Sequence, residues 1–318
     1  MANIENIENI ENIANIKNII ISTTAINRPV LHKDIFPGWL KWISMLDKQI
    51  GIKWYINIDM VDQLSFTYEE TQESICQILS DLKLDERIDV SFLKSSEKGN
   101  FFNACKRLST NIIQYVFCEK LDPDKIRIMW LEDDWKFNDN IINLFNINYL
   151  LETFSKKKTF INFTFIRNNY IWALAPSLID YSLWVDIFYK AWSIQKTNMD
   201  PEHCAGLYYI KMYGKEKDIS NLTIICNYVH RRYLQRPCIN YVNSLFTVLD
   251  EEKNKLLMNN GKFVKKDKFK EITGNKNIFI RITPTFCSDY GRDFMTQYNL
   301  KKNKGNEING QYVINNLS

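Results

Sequence analysis

The feature that most constrains the fold is the stretch 126–137, IRIMWLEDDWKF, in which an apolar run stops at three adjacent carboxylates. Ile126, Ile128, Met129, Trp130 and Leu131 read as a strand buried on both faces. Glu132, Asp133 and Asp134 cannot all follow it into a core, so the strand must leave its sheet where they begin. In an open α/β sheet that carboxyl edge is where ligands bind. Carboxylates this close repel one another, and a hard divalent cation held by oxygens relieves the repulsion while keeping positions for phosphate and water. A solvated acidic turn is the bland alternative. The length of the apolar strand and the flanking Trp130 and Trp135 favour a metal-bound phosphate site.

The chain before this strand alternates. A β-branched run at Ile19, Ile20 and Ile21 ends in Ser22, Thr23 and Thr24, followed by Asn27-Arg28-Pro29. Small hydroxyl residues and an arginine at a strand's carboxyl end suit a nucleotide phosphate or base. The spacing of Trp39, Trp42, Ile43 and Leu46 predicts a helix over 36–48, and a strand over 54–58 ends at Asp59. A helix over 68–82 is capped near Thr67, a strand covers 88–93, and a helix over 101–117 carries Phe102, Cys105, Leu108, Ile112, Ile113 and Val116 on one face. Strand–helix alternation of this kind builds a mostly parallel sheet covered on both faces.

The rest of the chain is less regular. Residues 3–19 repeat Asn-Ile-Glu with a period of three, which fits neither helix nor strand and predicts a low-complexity leader. Two short runs, 160–166 and 170–174, flank Arg167-Asn168-Asn169 as a predicted hairpin, and an aromatic helix is expected over 178–192. Asp200, Pro201 and Glu202 make a strong helix start. A strand over 222–228 precedes His230-Arg231-Arg232. From about residue 249 the composition shifts to Lys and Asn and predicts a solvated segment, with order returning over 278–282 and an unstructured tail after 301.

With 45% hydrophobic and 14% aromatic residues, 318 residues suffice for a large core. A net charge of +4 is too small to argue for a nucleic-acid partner. No apolar run reaches the roughly 18–20 residues of a membrane span. Seven cysteines without a CxxC pair suggest neither a zinc cage nor a disulfide framework. Abundant Asn, Ile and Lys are compatible with an AT-rich genome, cellular or viral. The expectation is a cytoplasmic protein, in a host cytoplasm or a virion if virus-encoded.

A first strand ending in Ser-Thr-Thr before Asn-Arg-Pro, a helix containing Asn103-Ala104-Cys105-Lys106-Arg107, and a strand running into Glu132-Asp133-Asp134 together resemble the GT-A fold, nucleotide-sugar-dependent glycosyltransferases, especially those similar to family 2. The resemblance covers roughly residues 19–245 and implies an α/β fold with a GT-A-like, Rossmann-like, mixed and mostly parallel sheet. The implied organisation is a leader over 1–18, a catalytic domain over 19–248 with donor half 19–135 and acceptor half 136–248, and a partly mobile C-terminal extension over 249–318.

The resemblance also implies an activity, the metal-dependent, inverting transfer of a sugar from a nucleoside diphosphate to a hydroxyl of a glycan or glycoconjugate. It implies Mn²⁺ or Mg²⁺, bound by Asp134 with Asp133 and His230, and a UDP-sugar before a GDP-sugar as donor. Thr24, Arg28, Asp59, Arg107, Glu132, Asp133 and Arg292 are the implied donor contacts, and Glu132 or Asp133 would touch the ribose or bind through water. Asp200 is the expected base, ahead of Glu202, and an aromatic face such as Trp172 could stack on a sugar. A homo-oligomer is compatible with all of this. Two other readings compete. A sugar nucleotidyltransferase would carry a glycine-rich phosphate loop after the first strand, and residues 22–29 contain no glycine. A catalytically inactive glycan-binding or structural protein would have lost its metal site.

Overall fold

The computed structural model describes residues 16–62, 64–95, 100–139, 142, 147–148, 151, 158–166, 174–194, 200–213, 222–228 and seven short strands beyond them. The first strand, β1 (Asn18–Ile26), is buried along nearly its whole length, as a β-branched run covered on both faces should be. The chain continues through α1 (Pro29–Ser44), β2 (Gly51–Asp59), α2 (Tyr68–Asp81), β3 (Ile88–Lys94), α3 (Phe101–Cys118) and β4 (Ile126–Glu132). Two of these helices start on strong local signals. Thr67 and Glu70 form a reciprocal capping box at α2, and the Asn100 side chain accepts from Phe102 N and Asn103 N at α3.

Beyond β4 come β5 (Trp135–Phe137), β6 (Lys158–Ile166) and β7 (Ser177–Asp180). Next is α4 (Tyr181–Trp184), which passes through a π-helical turn, Val185–Tyr189, into α5 (Lys190–Ile194). Then follow α6 (Pro201–Tyr213), β8 (Leu222–Tyr228), β9 (Phe246–Val248), β10 (Lys255–Leu257), β11 (Phe263–Lys265), β12 (Phe279–Ile282), β13 (Cys287–Asp289), β14 (Leu300–Lys302) and β15 (Tyr312–Ile314).

The expected α/β class with a mixed, mostly parallel sheet is what forms. The large sheet runs β3-β2-β1-β4-β7-β6-β8-β12-β9. Its first four strands are parallel, β7 is antiparallel to both neighbours, and β6, β8 and β12 are parallel again. Two cores flank it. On one side α1 and α2 pack Trp39, Trp42, Ile75 and Ile78 against Ile19, Ile21, Trp54, Met129 and Leu131. On the other, α3 to α6 pack Cys105, Leu108, Ile112, Trp184 and Trp192 against Ile20, Tyr55, Ile128, Trp130 and Ile179.

Four local expectations are corrected. Helix α1 starts at Pro29, seven residues before the predicted start at Phe36, because a proline at the first helical position needs no amide partner. Residues 178–180, expected to open a helix, lie in strand β7, the antiparallel partner of β6; Leu178 faces one core and Ile179 the other. The helix begins only after Asp180, whose Oδ1 accepts from Leu183 N. The predicted second arm of that hairpin lies mostly outside the described residues. In the Lys- and Asn-rich segment, β10 pairs with β11, and the tail expected to be unstructured carries the β14–β15 pair, where Tyr-Val-Ile is a strand-forming triplet. Strand β12, from the segment read as an extension, lies in the large sheet beside β8.

Candidate functional site

The chain runs outward from β1 to β2 and β3, with α1 and α2 on one face, then returns through α3 on the other face to place β4 on the far side of β1. The gap between the carboxyl ends of β1 and β4 is therefore a topological switch point, where open sheets form a ligand crevice. The acid cluster stands on one lip of it and Asn27-Arg28 on the other.

Strand alternation divides the three acids. Met129 and Leu131 face the α1 side and Ile128 and Trp130 the α3 side. Carried two residues further, the pattern sends Asp133 toward α1 and Glu132 toward α3. Asp133 is 4% exposed. Its Oδ2 accepts from Ile26 N at 3.0 Å and Arg28 Nε at 2.8 Å and lies 3.0 Å from His32 Nε2, while Arg28 Nη2 binds Oδ1. Burial alone would raise this carboxyl. The Arg28 guanidinium outweighs it through charge and hydrogen bonding, with His32 adding to the effect, and holds Asp133 below the usual carboxylate range. Burial lowers His32 against the pull of Asp133, so the ring is neutral and its Nε2–H donates to an acceptor-only carboxylate. Arg28 Nη2 also lies 3.6 Å from Asp134 Oδ2.

The α3 side is different. Glu132 is partly buried, and its Oε2 accepts from Trp135 Nε1 at 2.8 Å. Burial pushes its carboxyl well above the ordinary value, and the nearby Asp134, Glu202 and Asp133 charges push it further. Thr24, in register with both Glu132 and Asn57, stands at the same height of the sheet. At the end of β2, Asp59 Oδ1 accepts from Asn57 Nδ2 at 2.8 Å and Arg107 Nη2 at 3.0 Å and also binds Ser95 Oγ. Arg107 Nε donates to Asn57 Oδ1 at 2.8 Å.

Helix α6 supplies the remaining acids. Asp200 Oδ1 accepts from His203 N at 2.8 Å, a helix-capping bond, and Glu202 Oε1 accepts from Leu174 N at 2.6 Å. The Cys105 thiol of α3 is buried on this side of the sheet. Burial raises it well above its ordinary value, and the negative charges of Glu132, Asp59, Asp200 and Glu202 all act on it. The structure thus sets Thr24, Glu132 and Asp134 at the carboxyl ends of β1 and β4 and Asp59 with Arg107 at the end of β2, while the charges of Asp200 and Glu202 act on Cys105 and that of Glu202 on Glu132. It places Arg28 and Asp133 beneath the crevice, bound to each other. His230, Arg231, Arg232, Arg292 and Trp172 lie outside the described residues, although β13 brings Asp289 opposite Trp135, directly after the acids.

Three members of the site escaped the sequence reading. His32 lies four residues after Arg28 on one helical face, Asn57 two residues before Asp59 on one strand face, and Ser95 follows β3 at the same edge. The first two spacings were legible; Ser95 had no signal.

Among the described residues, no three His, Cys, Asp or Glu side chains stand close enough to hold a metal by themselves. The described acids nevertheless offer only oxygen donors, which repel one another. They fit a hard divalent cation that keeps waters and shares phosphate oxygens, and they do not fit a closed cage. The described residues show no helix long and apolar enough to cross a membrane, and Cys76, Cys105, Cys118, Cys204 and Cys287 form no disulfide.

No protein-family model matches the chain, and no curated protein matches it. Among solved structures, it is similar to a glycosyltransferase involved in glycosylation of the major capsid of PBCV-1, at 12% identity and a TM-score of 0.37, over 88% of this chain and 98% of that one. It is similar to the glycosyltransferase GlyE of Streptococcus pneumoniae TIGR4, at 11% identity and a TM-score of 0.31, over 65% and 45% of the two chains. It is also similar to the mannosyltransferase Ktr4p of S. cerevisiae, at 12% identity and a TM-score of 0.31, over 66% and 69%. Likenesses at this level carry no functional weight.

Proposed function

We propose that the chain is a metal-dependent glycosyltransferase that moves a sugar from a nucleoside-diphosphate donor to a hydroxyl of a glycan or glycoconjugate, with inversion. One observation supports the reading: Glu132 and Asp134 stand at the carboxyl end of β4, at the sheet's switch point, where their charges and that of Glu202 act on one another, and the Asp59–Arg107 pair closes the end of β2. The motif resemblance supplies the reaction class.

In this reading Glu132 and Asp134 hold Mn²⁺ or Mg²⁺, which when bound acts as a Lewis acid on the diphosphate oxygens of the leaving group. Asp59 and Arg107 orient the nucleoside end of the donor, and Thr24 offers a hydroxyl at the same height. His230 and Arg292 are proposed as a further ligand and a phosphate contact. Base catalysis comes from the start of α6. Asp200, the first choice from sequence, already caps the helix, whereas Glu202 is held by the Leu174 amide and its charge acts on Glu132. We therefore assign proton removal from the acceptor hydroxyl to the Glu202 carboxylate.

The test is thermal unfolding against UDP, GDP and their sugars, with and without Mn²⁺, in wild type and Asp134→Asn. A nucleotide at 100 times its dissociation constant adds about 2.7 kcal/mol. The expected result is a Mn²⁺-dependent rise with one nucleotide class that Asp134→Asn abolishes. Indifference of the wild type to every nucleotide and metal would sink the proposal and leave the acids a solvated turn.

A further inference from the structure

We infer that Asp133 is a positioning residue: held by Arg28, His32 and the Ile26 amide, it locks the acid turn onto α1 so that Glu132 is presented toward α3 and the turn that carries Asp134 is fixed in place. It follows that Arg28 serves this turn and not the donor diphosphate. The inference rests on the proposed function only for what the turn binds; the locking itself stands on geometry.

Four contacts converge on the one carboxylate, three of them hydrogen bonds donated by Ile26 N, Arg28 Nε and Arg28 Nη2 and the fourth from His32 Nε2. Arg28 and His32 lie one helical turn apart at the start of α1, so both reach the same point without distortion. The His32 ring is fixed in turn by stacking on Phe36, with centroids 4.9 Å apart. For Asp133 to bind a cation it would have to release a buried guanidinium and leave that charge without its partner.

The same helix grips the chain after the acids. Trp39 Nε1 donates to Trp135 O at 2.8 Å, and the Phe137 ring packs against Trp39 at 4.9 Å and Trp42 at 5.5 Å. Gly38 makes that approach possible, since a Cβ there would lie 2.9 Å from Phe137 Cβ. Helix α1 therefore holds the turn on both sides of Asp134, through Asp133 before it and Trp135 and Phe137 after it. Trp135, whose indole donates to Glu132 Oε2, reports on the result.

The experiment is ¹⁵N-indole NMR of the full chain, with the Trp135 resonance assigned through Trp135→Phe, alongside titration of Mn²⁺ with GDP and with UDP. The variants are Asp133→Asn, His32→Leu and His32→Gln; glutamine keeps a donor for Asp133 and leucine does not. His32→Leu and Asp133→Asn should move the Trp135 resonance and weaken Mn²⁺-dependent nucleotide binding tenfold or more at unchanged helix content, and His32→Gln should return both to near wild type. If Asp133→Asn does not fold, the two His32 variants decide alone. An unmoved Trp135 resonance in His32→Leu overturns the inference, and so does loss of Mn²⁺ response in Asp133→Asn with full retention in His32→Leu, which would make Asp133 a ligand. If the wild type binds neither nucleotide, the donor reading falls, and the Trp135 resonance still decides the positioning role.

Discussion

The two sides of strand β4 use the same kind of residue for opposite purposes. Toward α1, Asp133 is buried and paired with a guanidinium, an imidazole and an amide. Toward α3, Glu132 is pushed toward its neutral form by burial and by neighbouring carboxylates. A carboxylate whose charge is matched inside the fold stabilises the fold. One whose charge is opposed stands ready for a cation or a proton from outside. The comparison predicts that substitutions on the α1 side change stability first and those on the α3 side change activity first.

The largest expected effect lies on the α3 side. Glu202→Gln should lower transfer activity by about 10²–10⁴-fold, the usual worth of a general base, while leaving the unfolding midpoint near that of wild type. A variant that loses stability and keeps its turnover would erase the distinction between the two sides.

On the α1 side, Arg28→Met leaves the Asp133 carboxylate buried beside an apolar chain. Breaking a buried pair from one end costs about 3–5 kcal/mol, which denaturant unfolding would read directly. A loss under about 1 kcal/mol, within the range of an exposed pair, would mean that Asp133 finds water or another partner, and the anchor would lose its meaning.

His32 gives a smaller, pH-resolved effect. Its folded value is depressed, so the native ring is neutral while the unfolded ring takes up a proton near 6.5. Wild-type stability from this group is therefore fully present above that value and is lost as pH falls through it toward the folded value, by at most about 1.4 kcal/mol per pH unit. His32→Gln has no such proton to bind, so the stability gap between wild type and variant should move in the variant's favour between pH 7 and 5. Arg28 and Asp133, the charged groups facing the ring, are common to both proteins. A gap that stays constant across this range would show a ring that titrates when folded as it does when unfolded, and a gap that moves in favour of wild type would show one that is charged when folded.

The same contrast explains what could be read from sequence. The α/β alternation up to Glu132 was legible because each element carries its own signal: β-branched runs in β1 and β4, the Thr67–Glu70 capping box, and Asn100 before α3. Strand β7 was misread because four apolar-rich residues look alike at the end of a strand and the start of a helix. In the acid cluster, composition announced a site but not its division of labour. That division follows from parity, since Leu131 and Asp133 share a face, and from the Arg28–His32 spacing on a helix whose start was placed too late. Contacts between distant segments, such as Leu174 with Glu202, leave no local trace at all.

Asp200→Asn should have the smallest effect, and it separates the two acids of α6. Asparagine caps a helix about as well as aspartate, so the bond to His203 N survives and stability should change by only a few tenths of a kcal/mol, whereas Asp200→Ala would cost about 1. If Asp200 serves only as a cap, Asp200→Asn also keeps its transfer activity within a few-fold, because the lost charge had no part in the chemistry. Suppose instead that Asp200→Asn loses 10²-fold or more in turnover at unchanged stability, and Glu202→Gln does not. The acceptor proton then goes to Asp200, and Glu202 is left to hold the Leu174 amide. The two variants assayed together thus assign the base, because the cap is kept in both.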